Sequence, residues 1–377
     1  VTFINGKALN IIMKAIATIK LKLPNNNVFL ETMKQYSYSA NKVIDFGWNI
    51  KTYSKRELHD LTYHKIREET QLPAQLVCSS RDRAFEVLKA CKFQKSKPIM
   101  KEYLTIRYDS RSFSFRSNKN NYYISLTTIN GRIKFPVEIP ECYWKYLDYK
   151  VCSADLILDK KERLFLNIVM SRSIKILNSN NIVGVDLGIN NIAVTSQKQF
   201  FNSSQIKLKK LKFKHLKAKL QAKGTKSAKK LLKKISGREK RFMTWVNHNI
   251  SKSIINKVEE GTIVLEELKG IRKSKVRKKQ RFWLHSWSFY QLQRFIEYKA
   301  VRGGIKIIKV NPRNTSKICN SCGNLGSRCK SFFTCSHCGY SLNADLNASF
   351  NLAKHTSISD CVSAEVIPPF LTCDTKA

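Results

Sequence analysis

Residues 14–23, KAIATIKLKL, set Ile19, Leu21 and Leu23 against Lys20 and Lys22. That period-two alternation predicts a half-buried strand with a basic outer face, ended by Pro24 and three asparagines. From residue 28 the period lengthens. Phe29, Met33, Tyr36, Ala40, Val43 and Ile44 fall on one helical face. Ser54-Lys55-Arg56-Glu57 reads as a capping box for a second helix. Pro73 suits the first turn of a third, which runs through Leu88 and Ala90. These segments predict a small helical domain whose apolar faces are ordinary core.

Residues 103–170 return to period two. YLTIRYD, SFSF and YYISLTTINGRIKFPVEI are short, aromatic and alternating, with Asn130-Gly131 as a hairpin turn. KVCSADLILDKKERLFLNIVM predicts a second hairpin, turning near Asp159-Lys160. With the strand at 14–23 these predict a compact β-barrel that carries the helices as an insertion. A polar linker follows over 173–181.

The second half begins with IVGVDLGINNIAVTS, residues 182–196, read as strand, turn, strand. Its first strand is apolar on both faces and therefore central in a sheet. A carboxylate there, Asp186, costs several kcal/mol unless it is paired or binds metal; the bland alternative is a role in the turn's own hydrogen bonding. Residues 206–241 hold sixteen Lys or Arg and one acid, Glu239. Leucines at 208, 211, 216, 220, 231 and 232 argue for helix, and the single sign of charge favours tracking phosphates over a merely solvated face. TIVLEEL, residues 262–268, is a second apolar strand ending in acids, Glu266 and Glu267. Residues 269–281 carry eight basic residues and no acid, the pattern of a mobile loop, with Phe282, Trp283 and Trp287 beside it. An amphipathic helix over 288–302 and a strand over 305–310 complete this set.

Residues 311–353 carry the sharpest local chemistry. Cys319 with Cys322 and Cys335 with Cys338 form two C-x-x-C pairs twelve residues apart. Two such turns give a closed tetrahedral site for structural Zn²⁺; four unrelated thiols are the bland reading. Gly323 and Gly339 follow each pair where a knuckle turns tightly. Cys329 and His337 lack the spacing of ligands. Asn343 reads as the N-cap of a helix whose first turn holds Asp345, by itself an ordinary helix-dipole partner.

Composition narrows the partners. Lys and Arg number 69 against 27 Asp and Glu, a net charge of +42 in 377 residues. A hydrophobic fraction of 42% supports real cores. Charge of this size points to a polyanion, with nucleic acid favoured over an anionic membrane surface. The candidate phosphate contacts are Lys207, Lys210, Lys214, Lys217, Arg241, Arg272, Lys275, Arg277 and Lys278. No apolar run approaches the ~18 residues of a membrane span. Eleven cysteines, four of them in ribbon spacing, fit a reducing compartment, and the expected location is the prokaryotic cytoplasm, with the nucleoid. Residues 1–12 are expected to be disordered or to precede the true start, with Val1 or Met13 as initiator, and 356–377 to form a disordered tail.

Asp186, Glu266 and Asp345 thus stand on apolar elements in the order strand-strand, long helix, strand, helix, strand, ribbon, helix. That is the order of an RNase H-like sheet, in which acids on the first strand, fourth strand and last helix converge. Three converging carboxylates favour divalent cations, here Mg²⁺ or Mn²⁺. GVDLG, VLEEL and the C-x-x-C…C-x-x-C-GYSLNADLNASFNLA run resemble the RuvC-I, RuvC-II, zinc-ribbon and RuvC-III segments of TnpB, the insertion-sequence relatives of single-chain RuvC CRISPR effectors. SSRDRAFEVLKAC, ISLTTINGRIKFP and NPRNTSKICNSCG resemble the same family. Ser349 departs from its usual N-A-A.

The resemblance implies an α+β multidomain protein. A wedge β-barrel (13–26 and 96–172) carries a helical recognition insert (27–95). An RNase H-like RuvC nuclease domain (173–310 and 343–355) carries an inserted zinc ribbon (311–342). It implies a Mg²⁺-dependent, RNA-guided DNA endonuclease associated with a transposable element. Its partners are a guide RNA from the element's own end and double-stranded target DNA cut beside a short motif. Asp186, Glu266 and Asp345 hold two metal ions, Glu266 rather than Glu267 supplies the glutamate, and the 269–281 loop acts as a lid. Two rivals remain. A nuclease-silent, guide-loaded repressor would look the same in sequence. A transposase of this fold orders its acids Asp, Asp, Glu, whereas here the order is Asp, Glu, Asp, and no His-x-His pair is present.

Overall fold

The computed structural model describes residues 12–118, 121–176, 179–268, 278–311 and 315–354. The chain divides into two compact units that part between Arg172 and Ser173 and, near the start, between Ala15 and Ile16.

The N-terminal unit begins with β1 (Ile12–Lys22) and three helices, α1 (Asn27–Asn49), α2 (Lys55–Glu69) and α3 (Ala74–Ala90). The helical stripe read from the sequence is the buried stripe of α1, which packs on α3. Asn26 caps α1 by accepting from Val28 N–H. Only half of the expected capping box forms at α2. Ser54 accepts from Glu57 N–H at 3.4 Å, but the Glu57 carboxylate takes the Thr52 hydroxyl instead of reaching back.

Strands β2 (Ile106–Tyr108), β3 (Phe113–Asn118), β4 (Asn121–Thr128), β5 (Gly131–Val137), β6 (Lys150–Leu158) and β7 (Leu164–Lys175) follow. They form two sheets on one core, β1-β7-β6-β2 and β3-β4-β5, and no ladder joins the two among the described residues. The expected barrel is therefore two separate sheets. The switch occurs at Asp109, whose Oδ1 accepts from Arg111 N–H, Ser112 N–H and the Ser112 hydroxyl, closing the turn between β2 and β3. At the β4–β5 hairpin Gly131 alone takes positive φ, +85°, and Thr128 pairs with it, so Ile129 and Asn130 form the loop rather than Asn130-Gly131. The second hairpin turns on Asp159, which accepts from Lys161 and Arg163 N–H and receives the Arg163 guanidinium on its second oxygen.

The C-terminal unit is built on β8 (Ile182–Asp186), β9 (Asn191–Thr195), β10 (Phe200–Asn202), β11 (Thr262–Glu266) and β12 (Lys306–Val310), with α4 (Ser204–Lys223), α5 (Lys226–Val258), α6 (Lys278–Ser286) and α7 (Phe289–Arg302) in the connections. The last four residues of the expected 269–281 loop are the start of α6. The spatial order is β10-β9-β8-β11-β12. β8 runs antiparallel to β9 and parallel to β11, which runs parallel to β12. The apolar strand β8 is thus central, as its two-sided hydrophobicity requires.

One face of the sheet packs Val183, Val185, Ile263 and Leu265 against Ile250, Ile254, Leu292 and Ile296 of α5 and α7. The other face receives α8 (Ala344–Lys354), with Val264, Ile308, Val310 and Leu352 forming a small core. Gly184 permits this approach: a Cβ there would lie 2.0 Å from the Ser349 carbonyl oxygen. The expected single long helix over 206–241 is a helical hairpin. Gly224, at φ +66°, ends α4, and Thr225 caps α5 by accepting from Ala228 N–H. Between β12 and α8 lies a small sheet of β13 (Ser327–Cys329), β14 (Phe332–Thr334) and β15 (Ser341–Asn343).

Candidate active site and the four-cysteine centre

The two C-x-x-C turns are near copies. Cys319 N–H bonds Asn324 O and Gly323 N–H bonds Cys319 O; Cys335 N–H bonds Tyr340 O and Gly339 N–H bonds Cys335 O. Both glycines take positive φ, +78° and +71°, as the knuckles demand. The four sulfurs lie within 4.8 Å of one another. Cys319 Sγ is 3.7 Å from Cys338 Sγ, and Cys322 Sγ 3.6 Å from Cys335 Sγ. A tetrahedron with Zn–S bonds of about 2.3 Å has edges of about 3.8 Å. A disulfide needs sulfurs about 2.05 Å apart, so this is a metal-sized nest rather than two bridges. Four thiolates at this spacing repel. The Asn324 backbone N–H holds the Cys322 thiol down to about 6. Cys338 has the Tyr340 N–H favouring its thiolate, yet the sulfur of Cys322 and burial, with Cys335 and Cys319, push it up to about 12. A divalent cation relieves that conflict, and the donor set fits Zn²⁺.

The carboxylates come from three distant segments. β8 and β11 pair in register through Val185 and Leu265, so Asp186 and Glu266 stand side by side at the C-terminal ends of adjacent parallel strands. Asp345 enters from the first turn of α8, which packs along β8. Asn343 Oδ1 accepts from Asp345 and Leu346 N–H, confirming it as the cap. Burial raises the Asp186 carboxyl well above the ordinary range, and the negative charges of Glu266 and Asp345 add to the rise. Burial also raises Glu266, against the Thr315 hydroxyl bond and the charge of Arg328, which favour its ionised form. Both carboxyls therefore resist ionising without a cation beside them. Among the described residues no side chain donates to the Asp186 carboxylate. This donor set of clustered, under-neutralised oxygens fits a hard divalent ion such as Mg²⁺ or Mn²⁺.

Three neighbours were not singled out by sequence reasoning. Arg328, from β13, donates Nη2 to Asp345 Oδ1 at 2.7 Å. Asn191, opening β9, donates to Asp345 Oδ2 at 2.9 Å. Thr315 donates its hydroxyl to Glu266 Oε1. Arg328 lies in the twelve-residue span between the cysteine pairs, where a basic residue carries no signal until β13 pairs with β14. From α8, Asn347 holds Ile318 O and Asn320 N–H, while Asn351 holds Thr315 O and Ile318 O. These two asparagines tie the first knuckle to the helix that carries Asp345. A cleft of about 300 Å³ opens onto Asp345 and Arg328, walled by Gly188, Asn190, Leu284 and Phe289.

The basic candidates separate. Lys207 donates to Asn190 Oδ1 at 2.7 Å, its Nζ 5.8 Å from the Trp283 ring, and Lys214 lies 4.3 Å from the Phe282 ring. Lys217 is paired with Glu239, and Arg241 is exposed. Lys210 is a correction. It is 2% exposed, donates to the Ser286 carbonyl and sits 5.3 Å from the Trp287 ring, so it is a buried strut between α4 and α6 with no surface for a phosphate. Burial lowers its amine accordingly. Leu208, Leu211, Leu216 and Leu231, whose spacing argued for helix, do lie in α4 and α5 but are all exposed. Arg272, Lys275 and Arg277, the side chain of Lys278, most of the proposed lid and nearly all of both chain ends (1–11 and 355–377) lie outside the described residues.

Comparison with known proteins finds relatives for two segments of the chain. The "Probable transposase" family OrfB_IS605 matches residues 167–275, and the Cas12f1-like TNB domain family matches 289–352. A CRISPR-associated endodeoxyribonuclease Cas12f1 of Sulfoacidibacillus thermotolerans is 32% identical over 234 residues, 55% of this chain and 54% of that protein. A TnpB-like protein of Methanocaldococcus jannaschii is 39% identical over 131 residues, 33% of this chain and 47% of that protein. The chain is similar to TnpB-like and Cas12f1 proteins over these segments. It spans about half the length of these curated relatives. In fold it is similar to Cas12f1 in a complex with sgRNA and target DNA, with TM-score 0.62 and 17% identity over 87% of this chain and 82% of that one. No helix among the described residues is long and apolar enough to cross a membrane.

Proposed function

We propose that this protein is an RNA-guided DNA endonuclease of the TnpB kind. The observation that carries the reading is the meeting of Asp186, Glu266 and Asp345 at the C-terminal ends of the interior strands β8 and β11, with Arg328 paired to Asp345 beside a cleft. Charge supports the choice of substrate: a net +42 suits two polyanionic partners, a guide RNA and a DNA duplex. The similar Cas12f1 is described in complex with sgRNA and target DNA. Base pairing with the guide then reads the target sequence, and the N-terminal unit, as wedge and recognition domain, reads a short duplex motif beside it.

Asp186, Glu266 and Asp345 would hold two Mg²⁺, whose charge makes water nucleophilic and stabilises the departing 3′ oxygen. The chain's own groups prepare that site. Thr315 and Asn191 fix one oxygen each of Glu266 and Asp345, so both carboxylates keep their rotamers. Arg328 neutralises Asp345 and presents its guanidinium to the cleft, where a scissile phosphate takes it as a partner. With one such centre, the two strands are cut in turn, giving staggered ends.

The test is cleavage of a plasmid bearing a matched target, with guide RNA and Mg²⁺. Asp186→Ala abolishes cutting and leaves guide and target binding nearly unchanged, because it removes a cation ligand and no phosphate contact. Equal cutting by both proteins, or cutting of unmatched plasmid without RNA, overturns the reading. Binding without cutting by the wild type supports a silent repressor instead.

A further inference from the structure

The outer face of α5 carries a feature that neither the carboxylates nor the cysteines use. Met243, Val246, Ile250 and Ile254 of α5 are buried in the core, whereas Trp245 is 61% exposed. It roofs an apolar groove of about 390 Å³ between β10, α4 and α5, with Phe201, Ile206 and Phe242 below it. The Phe242 and Trp245 rings are near-parallel, 27° apart with centroids at 6.3 Å, and Lys209 Nζ stands 4.7 Å from the Phe242 ring. Along α5 the groove runs on at Asn249 into a polar hollow of about 450 Å³ that includes Lys252 and Asn256. Trp245, Asn249, Lys252 and Asn256 recur about once per helical turn, so aromatic, amide and cation follow one another along a single line.

We infer that this groove binds a single-stranded segment of nucleic acid, stacking one base on Trp245 and placing the neighbouring phosphates at Lys209 and Lys252. Its chemistry separates this occupant from a protein partner. No Asp or Glu lines either part of the groove. Amide side chains at Asn202, Gln205 and Asn249 rim the apolar slot, each offering a donor and an acceptor as base edges require. Stacking on an exposed indole tolerates every base, and lysines track the backbone, which is the combination used for single strands without sequence preference. An apolar slot for a protein segment needs no such one-sided charge. The inference rests on the nucleic-acid reading above and extends it to a contact remote in sequence from the carboxylates.

The experiment titrates the full-length protein with three fluorescein-labelled probes of equal length: an oligoadenylate, an oligodeoxyadenylate and an abasic deoxyribose-phosphate chain. Trp245→Ala weakens binding of the base-bearing probes about tenfold, leaves the abasic probe unaffected and does not change the slope of affinity against salt. Trp245→Phe stays within about twofold of wild type. Lys252→Ala lowers that slope for all three probes. A loss confined to the ribo-probe assigns the groove to the guide, and one confined to the deoxy-probe to displaced target DNA. Equal loss on the abasic probe, no loss on any probe, or self-association of the wild type that Trp245→Ala abolishes in sedimentation overturns the inference. If the wild type binds none of the three, the nucleic-acid reading falls with it. If only the Trp245 dependence is missing, the groove alone is wrong and the Asp186→Ala test stands.

Discussion

The four-cysteine centre and the three-carboxylate centre solve one problem in opposite ways. Each gathers groups of like charge: the four sulfurs lie within 4.8 Å of one another, and the carboxylates stand on adjacent strand ends and on the first turn of α8. The cysteines come from two near-identical turns within twenty residues, each closed by its own backbone bonds and a glycine. The carboxylates come from segments as far apart as Asp186 and Asp345, and only strand pairing and the docking of α8 bring them together. The difference teaches a one-way dependence. The knuckles close locally once an ion is present. The carboxylate centre needs the sheet, the helix and the ribbon, because Arg328 and Thr315 reach it from the ribbon and from the loop leading into it.

The largest effect expected from this asymmetry is zinc loss. Cys335→Ser should take bound zinc from one ion per chain to none by elemental analysis. The ribbon then forgoes roughly 10–16 kcal/mol of apparent binding energy. Hydrogen exchange should show the ribbon unprotected and the five-stranded sheet intact, with cutting lost. Retained cutting without zinc would break the proposed dependence.

Gly184→Ala tests the opposite direction. Its Cβ meets backbone rather than a yielding side chain, so α8 must shift, at a cost of about 3 kcal/mol. Cutting should fall steeply while the zinc ratio stays at one. A variant that cuts like wild type would show that α8 tolerates displacement and that Asp345 is not held by this contact.

The smallest effect is on pH. Without Mg²⁺ but with zinc retained, Asp186 and Glu266 have folded pKa values raised above 3.8 and 4.5. The folded chain then binds more protons than the unfolded chain above those values. Their contribution to stability is therefore full at lower pH and is lost as pH rises through the raised values. Thermal melts should show this gradual fall in Mg²⁺-free buffer and its disappearance in Mg²⁺. A melting temperature equally insensitive to pH with and without Mg²⁺ would remove the carboxylates' repulsion from the account.

Much of this was legible along the chain. Cys-x-x-Cys spacing with a following glycine states its geometry within four residues, because backbone turns are local. The apolar run at 182–186 announced a central strand, and a lone Asp within it announced a cost that needed a partner. The element order then brought Asp186, Glu266 and Asp345 into one frame. Lys210 reads like any other lysine of its tract, yet the crossing of α4 over Trp287 buries it. Trp245 reads like one more apolar position on α5, yet it faces out. Arg328 gains its meaning only when β13 pairs with β14 and turns it toward Asp345. Local turns, periodicity and ligand spacing are written in neighbouring residues, so the sequence by itself determined them. Which face a long helix shows, and which distant charge meets a carboxylate, depend on how elements pack across the sheet, and only the tertiary structure decided those.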